Sequence, residues 1–446
     1  MKSIRKQIFE VTKEVFVRHG LDESLAHVSV SNRPDLCDYQ CNGALAAAKQ
    51  LHKPPISIAE ELAAALSDCP LFEKVEAVKP GFINFSLSGD CLAESLSTMR
   101  EQEKLGFEGA DTPRTIILDY GGPNVAKPLH VGHLRSAIIG ESLKRILSFT
   151  GERCIGDIHM GDWGLQMGLI VVELQERHPE LVYFDEDFAG DYPKEPPFTI
   201  SELEEIYPTA SAKSKADEAY YKRALVATKE MQEGRRGYQA LLSHIMQVSV
   251  ADLKRNYDRL NVHFELWKGE ADAAPYIPAM VEKMKADGYA YLSDGALVVD
   301  VAEEGDTKEL PPCMILKSDG AALYDTTDLA TLVWREEDYH PDSVIYIVDK
   351  RQQMHFTQVF RCAKKTGIVP KETELLFLGF GTMNGKDGKA FKTREGGVMR
   401  LEQLISDINE TMLKKIREND AIRGDEAERT AEIVGLAALK YGDLSN

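Results

Sequence analysis

The stretch Asp119–Ser136, DYGGPNVAKPLHVGHLRS, decides the fold. Before it lies a short apolar run, Thr115-Ile-Ile-Leu118, which reads as a buried parallel strand. After it, Leu134, Ile138, Leu143 and Leu147 recur at roughly helical spacing, and Gly151 offers a stop. Gly121, Gly122 and Pro123 supply a tight strand-to-helix turn, and Pro128 suits the approach to a helix start. In an open α/β sheet such a turn lies at the carboxyl end of a strand, where ligands bind. A helix N-terminus there offers free N–H groups and a positive dipole to phosphate. His130 and His133 are three apart, so one helical face carries both. Gly132 between them allows close approach of a ligand to the backbone. With Lys127 just before, the two imidazoles read as donors for negative charge growing on a phosphate. Two rivals stand beside this: surface histidines on an ordinary helix, or half of a zinc site. The glycine-rich turn, and the absence of a Glu at metalloprotease spacing, favour phosphate, so no bound metal is expected.

Composition bounds the rest. The chain has 446 residues, room for about two or three domains. Hydrophobic residues make up 43%, yet no apolar run reaches the ~18 residues of a membrane span. Glu10, Lys13 and Glu14 interrupt the N-terminal stretch, which reads as an amphipathic helix rather than a signal peptide. Cys37 and Cys41 are the nearest of the scattered cysteines, and no C-x-x-C pair occurs, so reduced thiols and a cytoplasmic location are expected. The formal net charge of −19 argues against a general nucleic-acid binder. It leaves room for one nucleic acid met by locally gathered Lys and Arg.

Taken in order, Ile4, Ile8, Val11 and Val15 predict a helix over 4–18, followed by helices over 44–51 and 58–66. Phe72–Val78 and Phe82–Leu87 read as strands around Lys79-Pro-Gly81. Past the Asp119–Ser136 stretch, Arg153–Ile158 reads as a second parallel strand, and His159-Met-Gly-Asp-Trp-Gly-Leu-Gln166 as a second glycine turn before a helix. Residues 185–215 are acidic, then Pro-, Ser- and Lys-rich, and read as a surface insertion. Helices are expected over 217–233, 239–260 and 275–287, and a strand over 261–266. Ser293-Asp-Gly295 and Ser318-Asp-Gly320 read as the turns of two hairpins, the second returning over 322–324. Tyr324-Asp-Thr-Thr-Asp328 starts a helix, 343–348 and 375–379 read as strands, and 401–442 is strongly helical. Repeated strand, polar turn and helix is the doubly wound α/β pattern, a parallel Rossmann-like sheet. The expected division is a small α+β domain over 1–112, a catalytic domain over 113–400 with insertions near 175–235 and 275–320, and a helical segment over 401–446.

His130-Val-Gly-His133 resembles the HIGH signature of class I aminoacyl-tRNA synthetases. The longer string Pro123–Ser136 is similar to its form in arginyl-tRNA synthetases, and Gly161-Asp-Trp-Gly164 resembles a segment found there. DYQCNGAL (38–45) and PGFINFSLS (80–88) resemble that family's extra N-terminal domain, which contacts the tRNA elbow. The resemblance covers essentially the whole chain. It implies activation of L-arginine by ATP with Mg²⁺, then transfer to the terminal adenosine of tRNA(Arg). It also implies a cytoplasmic enzyme, and a monomer is expected.

The resemblance also assigns residues. ATP falls to His130, Gly132, His133, Gly161 and Asp162, and to Lys392 and Arg394 of the loop 385–397, which matches the KMSKS segment. That loop departs from the pattern, because Thr393 stands where the catalytic lysine belongs. Arginyl enzymes sharing this loss carry a lysine before HIGH, and Lys127 stands there, so Lys127, His130 and His133 are the expected catalytic residues. Glu270, Tyr324 and Asp328 match positions that hold the guanidinium, while Asp119, Asn124 and Gln352 match those holding the amino and carboxylate groups. A guanidinium is planar, always charged and pairs bidentately with carboxylates, which suits such a set. Two alternatives stay in play: a HIGH-type ligase that adenylates a small acid without tRNA, and a tRNA-binding relative without catalysis. Residues 433–446 resemble the family's connection into an anticodon-binding domain, so the chain is expected to be a piece lacking that domain and to charge tRNA poorly.

Overall fold

The computed structural model describes residues 3–107, 109–110, 112–127, 129–307, 309–381, 400–418 and 422–445. They separate into two units, 1–113 with 149–151, and 114–148 with 152–446.

The first unit runs α1 (Ile4–Arg18), β1 (Val28–Val30), β2 (Tyr39–Cys41), α2 (Gly43–Leu51), α3 (Pro55–Leu66), β3 (Phe72–Val78), β4 (Phe82–Leu87) and α4 (Gly89–Glu101). Its sheet is antiparallel, in the order β1-β2-β4-β3. Ile8 and Phe16 of α1, Ile58 and Leu62 of α3, and Ile83 and Phe85 of β4 share one core. These are the apolar stripes that the helical and alternating spacings mark. The three-residue strands β1 and β2 escape such a reading because they are too short to show alternation. Asp38 accepts the Leu87 N–H at 2.8 Å, and Gln40 donates to Asn84 at 2.8 Å. Both side chains therefore tie strands together.

The second unit opens with β5 (Thr115–Tyr120), α5 (Val131–Phe149), β6 (Arg153–Asp157) and α6 (Leu165–Arg177). Three long helices follow: α7 (Ile200–Ala216), α8 (Glu218–Gln232) and α9 (Arg236–Arg259). Next come α10 (Glu270–Ala273), α11 (Ile277–Ala286), β7 (Ala290–Ser293), β8 (Ala296–Val299) and β9 (Cys313–Leu316). The chain continues with α12 (Tyr324–Tyr339), β10 (Ser343–Asp349), α13 (Gln353–Thr366), β11 (Glu374–Phe380), α14 (Leu401–Arg417) and α15 (Asp425–Leu444). The main sheet is parallel, in the order β11-β10-β5-β6. Both of its faces are covered: Ile116, Leu118, Ile345 and Ile347 enter one core, and Ile117, Ile155, Val344 and Tyr346 the other. That explains strands with no polar alternation. From β5 the chain winds first to β6 on one side, then returns to place β10 on the other. The crevice between the carboxyl ends of β5 and β10 is therefore the topological switch point, where doubly wound sheets bind ligands. Ser136 fixes α5 over it, donating to the Ile347 carbonyl at 2.6 Å and accepting the Gly121 N–H at 2.8 Å.

Three local expectations are corrected. Residues 200–216 form a helix whose Leu203, Ile206 and Ala210 are buried in the main core, with a Thr199–Glu202 capping box at its start. The stripe at i, i+3, i+7 outweighs the polar composition that suggests a surface loop. No strand forms over 261–266: Asn261 has φ +50°, and the stretch pairs with β6 only through an isolated bridge between Leu266 and Asp157. Residues 322–324 do not complete a second hairpin. Thr326 donates to the Ile315 carbonyl at 2.5 Å and accepts the Leu323 N–H at 3.1 Å, so α12 starts at once. The Asp294-Gly295 turn, with φ of 50° and 83°, does close the first hairpin between β7 and β8. Among the described residues no helix is long and apolar enough to cross a membrane.

Candidate active site

The start of α5 carries the two histidines. The His130 N–H donates to Nδ1 of His133 at 3.1 Å, and the Gly132 N–H donates to Nδ1 of His130 at 3.0 Å. A neutral ring that accepts at Nδ1 holds its proton at Nε2. Burial pushes His133 down to about 3, with His130 and Lys127 adding to the shift, and it lowers His130 as well. Both rings are thus neutral near pH 7, which lets them stack with centroids 3.9 Å apart. The positive end of the helix dipole works in the same direction. The result is a pair of neutral Nε2–H donors at a helix start. A Cβ on Gly132 would stand 2.8 Å from the His130 ring, so that ring, folded back over the turn, takes the space that the glycine opens.

Lys127 places its ammonium 4.3 Å from the centre of the Tyr207 ring, contributed by α7. Lys392 and Arg394 lie outside the described residues, as does Thr393. Both flanks of their segment are anchored at the histidine turn. Arg135 of α5 donates to the Gly381 carbonyl at 2.8 Å, Arg400 bridges to His130, and the Leu401 N–H donates to the Leu129 carbonyl at 2.8 Å.

The second glycine turn packs on the first. Asn124 and Gly161 form a bridge, and a Cβ on Gly161 would come within 2.3 Å of Asn124 Oδ1, so a larger residue would displace the Asn124 side chain. Asp162 is 2% exposed and accepts the Ala271 N–H at 2.9 Å. Its carboxylate holds the first turn of α10 and so places Glu270. Burial lifts Asp162 to about 7, with the charge of Glu270 among the lesser causes.

Glu270, Tyr324 and Asp328 come together electrostatically. Glu270 is 8% exposed, and burial, then the charge of Asp328, lifts it to about 7. Tyr324 is exposed, and its hydroxyl is held up by partial burial and then by Glu270, Tyr207 and Asp328. Tyr207 is therefore common to both groups of residues, stacked under Lys127 and electrostatically felt by Tyr324. Asp119 is buried and accepts from Arg335 at 2.6 Å through Oδ2. Gln352 is exposed, just before α13. Sequence reasoning missed Arg335, His355 and Tyr207. Their partners lie far off in the chain, and Tyr207 sits in the stretch read as a surface insertion.

The raised carboxyl gives a pH prediction. A guanidinium beside Glu270 favours its charged form, so binding below pH 7 expels a proton. Arginine affinity should fall about tenfold between pH 8 and pH 6. Calorimetric titration checks this, and Glu270→Gln should flatten the profile. A pH-independent affinity in the unaltered chain would place Glu270 outside the pocket.

Comparison with known proteins agrees with this geometry. The family described as "tRNA synthetases class I (R), catalytic domain" matches residues 96–446, and "Arginyl tRNA synthetase N terminal domain" matches residues 2–87. The chain is 63% identical over 453 residues to the arginine–tRNA ligase of Agathobacter rectalis, spanning 100% of this chain and 76% of that protein. It is 56% identical over 446 residues to that of Alkaliphilus oremlandii, with 100% and 76% covered. In structure it is similar to the arginyl-tRNA synthetase of Plasmodium falciparum, with TM-score 0.74 at 23% identity, covering 100% of this chain and 75% of that one. The Thermus thermophilus arginyl-tRNA synthetase gives TM-score 0.71 at 19% identity, covering 98% and 75%. The second unit is thus a class I tRNA synthetase catalytic fold, which takes ATP as a substrate. The chain belongs to the arginyl-tRNA synthetase family.

Proposed function

We propose that this chain activates L-arginine with ATP and transfers it to the 3′ end of tRNA(Arg). The arginine carboxylate attacks the α-phosphorus of ATP and expels pyrophosphate, leaving arginyl-adenylate. A ribose hydroxyl of the terminal adenosine then attacks the activated carbonyl and expels AMP. No side chain bonds to the substrate. The chain contributes placement and charge stabilisation. His130 and His133 offer Nε2–H donors to the α-phosphate, backed by the start of α5. Glu270, Asp328 and Tyr324 take the guanidinium, while Asp119, Asn124 and Gln352 take the amino and carboxylate end. Gly161 lets the Asn124 turn close, Gly132 admits the His130 ring, and Asp162 serves the ATP side while supporting Glu270.

The observation that carries this reading is the pairing of two shielded carboxylates, Glu270 and Asp328, with the Glu270 N–H donating to the Met160 carbonyl in the second glycine turn. Among the described residues no three His, Cys, Asp or Glu stand together as a metal cage. We therefore assign Mg²⁺ to the phosphates of the incoming ATP, as its counter-ion. Residues 1–112 serve as the tRNA-elbow module, and the enzyme works as a cytoplasmic monomer.

Lys127 takes the part of the lysine that Thr393 replaces. Lys127→Ala should slow pyrophosphate exchange by about 10², and Lys392→Ala by less. A larger loss in Lys392→Ala would mean the loop is misaligned.

Pyrophosphate exchange across the amino acids, with and without tRNA(Arg), tests the function. Exchange should need arginine. Exchange driven by another acid and indifferent to tRNA would indicate a small-molecule ligase. No exchange with any acid, in folded protein with tRNA present, would indicate a binding relative.

A further inference from the structure

His355 stands outside the residues that family membership assigns, yet it sits in the middle of the carboxylate set. It lies on the first turn of α13. Its Nδ1 is 2.6 Å from Asp325 Oδ1, and its Nε2 is 2.5 Å from Asp328 Oδ2. Asp325 and Asp328 are three apart on α12, so one helical face presents both to the ring. All three side chains are largely withdrawn from water, at 24%, 14% and 17% exposed.

We propose that His355 is a positioning residue for arginine recognition: bridging Asp325 and Asp328, it fixes one oxygen of Asp328 and leaves the second for a guanidinium N–H. This rests on the assignment of Asp328 to the guanidinium. A neutral ring donates from one nitrogen only, so short contacts to ionised carboxylates at both nitrogens are made by the imidazolium. Burial alone would lower the ring, but the bonds to Asp325 and Asp328 and their charges outweigh it and lift it to about 10.

The surroundings explain why a fixed cation is needed. Glu270 of α10 adds a third carboxyl that feels Asp328. Tyr346 of β10, Cys313 of β9 and Tyr324 of α12 also respond to the charge of Asp328. Cys313 in turn shares a hydrogen bond with Cys362 of α13, both being free thiols. Three carboxyls in a shielded space do not all ionise without a counter-charge. His355 supplies one that is independent of substrate. With His355 charged, Asp325 and Asp328 leave one net negative charge, and Glu270 adds a second when it ionises, so the set attracts a guanidinium. A lysine ammonium would be attracted too, but could not make the planar pairing with two fixed oxygens.

The test compares His355→Gln with Asp328→Asn in calorimetric binding of arginine and of ATP, between about pH 6 and about pH 9. Asp328→Asn should weaken arginine at every pH and leave ATP unchanged. If it spares arginine, the pocket assignment itself fails. His355→Gln should weaken arginine about 10- to 100-fold near pH 7, the range of a charge-assisted hydrogen bond. If Asp328→Asn behaves as stated but His355→Gln has no effect, an equal effect on ATP, or tighter arginine binding, the positioning role is overturned and the pocket stands. Should His355→Gln not fold, ¹⁵N spectra of the histidine rings in the unaltered chain decide. One ring should stay doubly protonated near pH 8.5, and none doing so would overturn the proposal.

Discussion

Replacing Arg335 with Met should cost the catalytic unit about 3–5 kcal/mol of stability, the range for breaking a buried ion pair from one side. Arg335 lies on α12 and is fully buried. Its guanidinium is 2.6 Å from Asp119 of β5, 2.7 Å from Asp157 of β6 and 3.1 Å from the Tyr346 hydroxyl of β10. One cation thus pins three neighbouring parallel strands at the ends that frame the crevice. Met fills much of the same volume but takes the cation from two carboxylates, Asp157 fully buried and Asp119 nearly so, and the His159 N–H that Asp157 accepts does not replace it. A protein's whole margin is only about 5–15 kcal/mol, so the variant should melt far earlier or accumulate poorly. Adding Asp119→Asn and Asp157→Asn should recover part of the loss, because neutral amides carry no uncompensated charge. Thermal unfolding followed by circular dichroism checks both. An unchanged transition in Arg335→Met would show that the triad holds nothing together.

His133→Ala should slow adenylate formation by about 10²–10³, the cost of removing one preorganised donor. The structure sharpens the expectation. His133 acts as a neutral donor, with burial holding it near 3, so its protonation should leave no limb in the kcat profile down to about pH 5. His133→Asn keeps an N–H donor and should retain more activity than Ala. Rapid-quench measurement of adenylate, with arginine and ATP saturating, isolates the step. Full activity in a folded His133→Ala variant would remove the histidine turn from the chemistry.

The fold was legible where one face or one period dominated. The buried strands β5 and β10 read directly as apolar runs, since both sheet faces are covered, and the partly exposed edge strand β11 is apolar enough to read the same way. The Asp294-Gly295 hairpin read from turn chemistry. Illegible were features whose cause lies far off in the chain. Whether Asn261–Leu266 could pair depended on which carbonyls remained free along β6. The helix α7 was masked by composition, although Thr199 and Glu202 spell out a capping box. The candidate site followed the same rule. His130, His133 and Lys127 are a local string, and a string can be read. Arg335 meets Asp119 across 216 residues of sequence and His355 meets Asp328 across 27, so only the folded chain reveals what orients those carboxylates. The sequence also suggested open space at Gly132, whereas the His130 ring occupies it.

The most direct test of the account is the identity of the ester that the chain makes. Incubate it with ATP, Mg²⁺, saturating unfractionated tRNA and an equimolar mixture of the proteinogenic amino acids. Then release the esterified amino acid and identify it by mass spectrometry. The account predicts arginine, carried on tRNA(Arg), with lysine below it by about 10⁴ or more, as polar complementarity without editing allows. Lysine or any other amino acid esterified in comparable amount would contradict it.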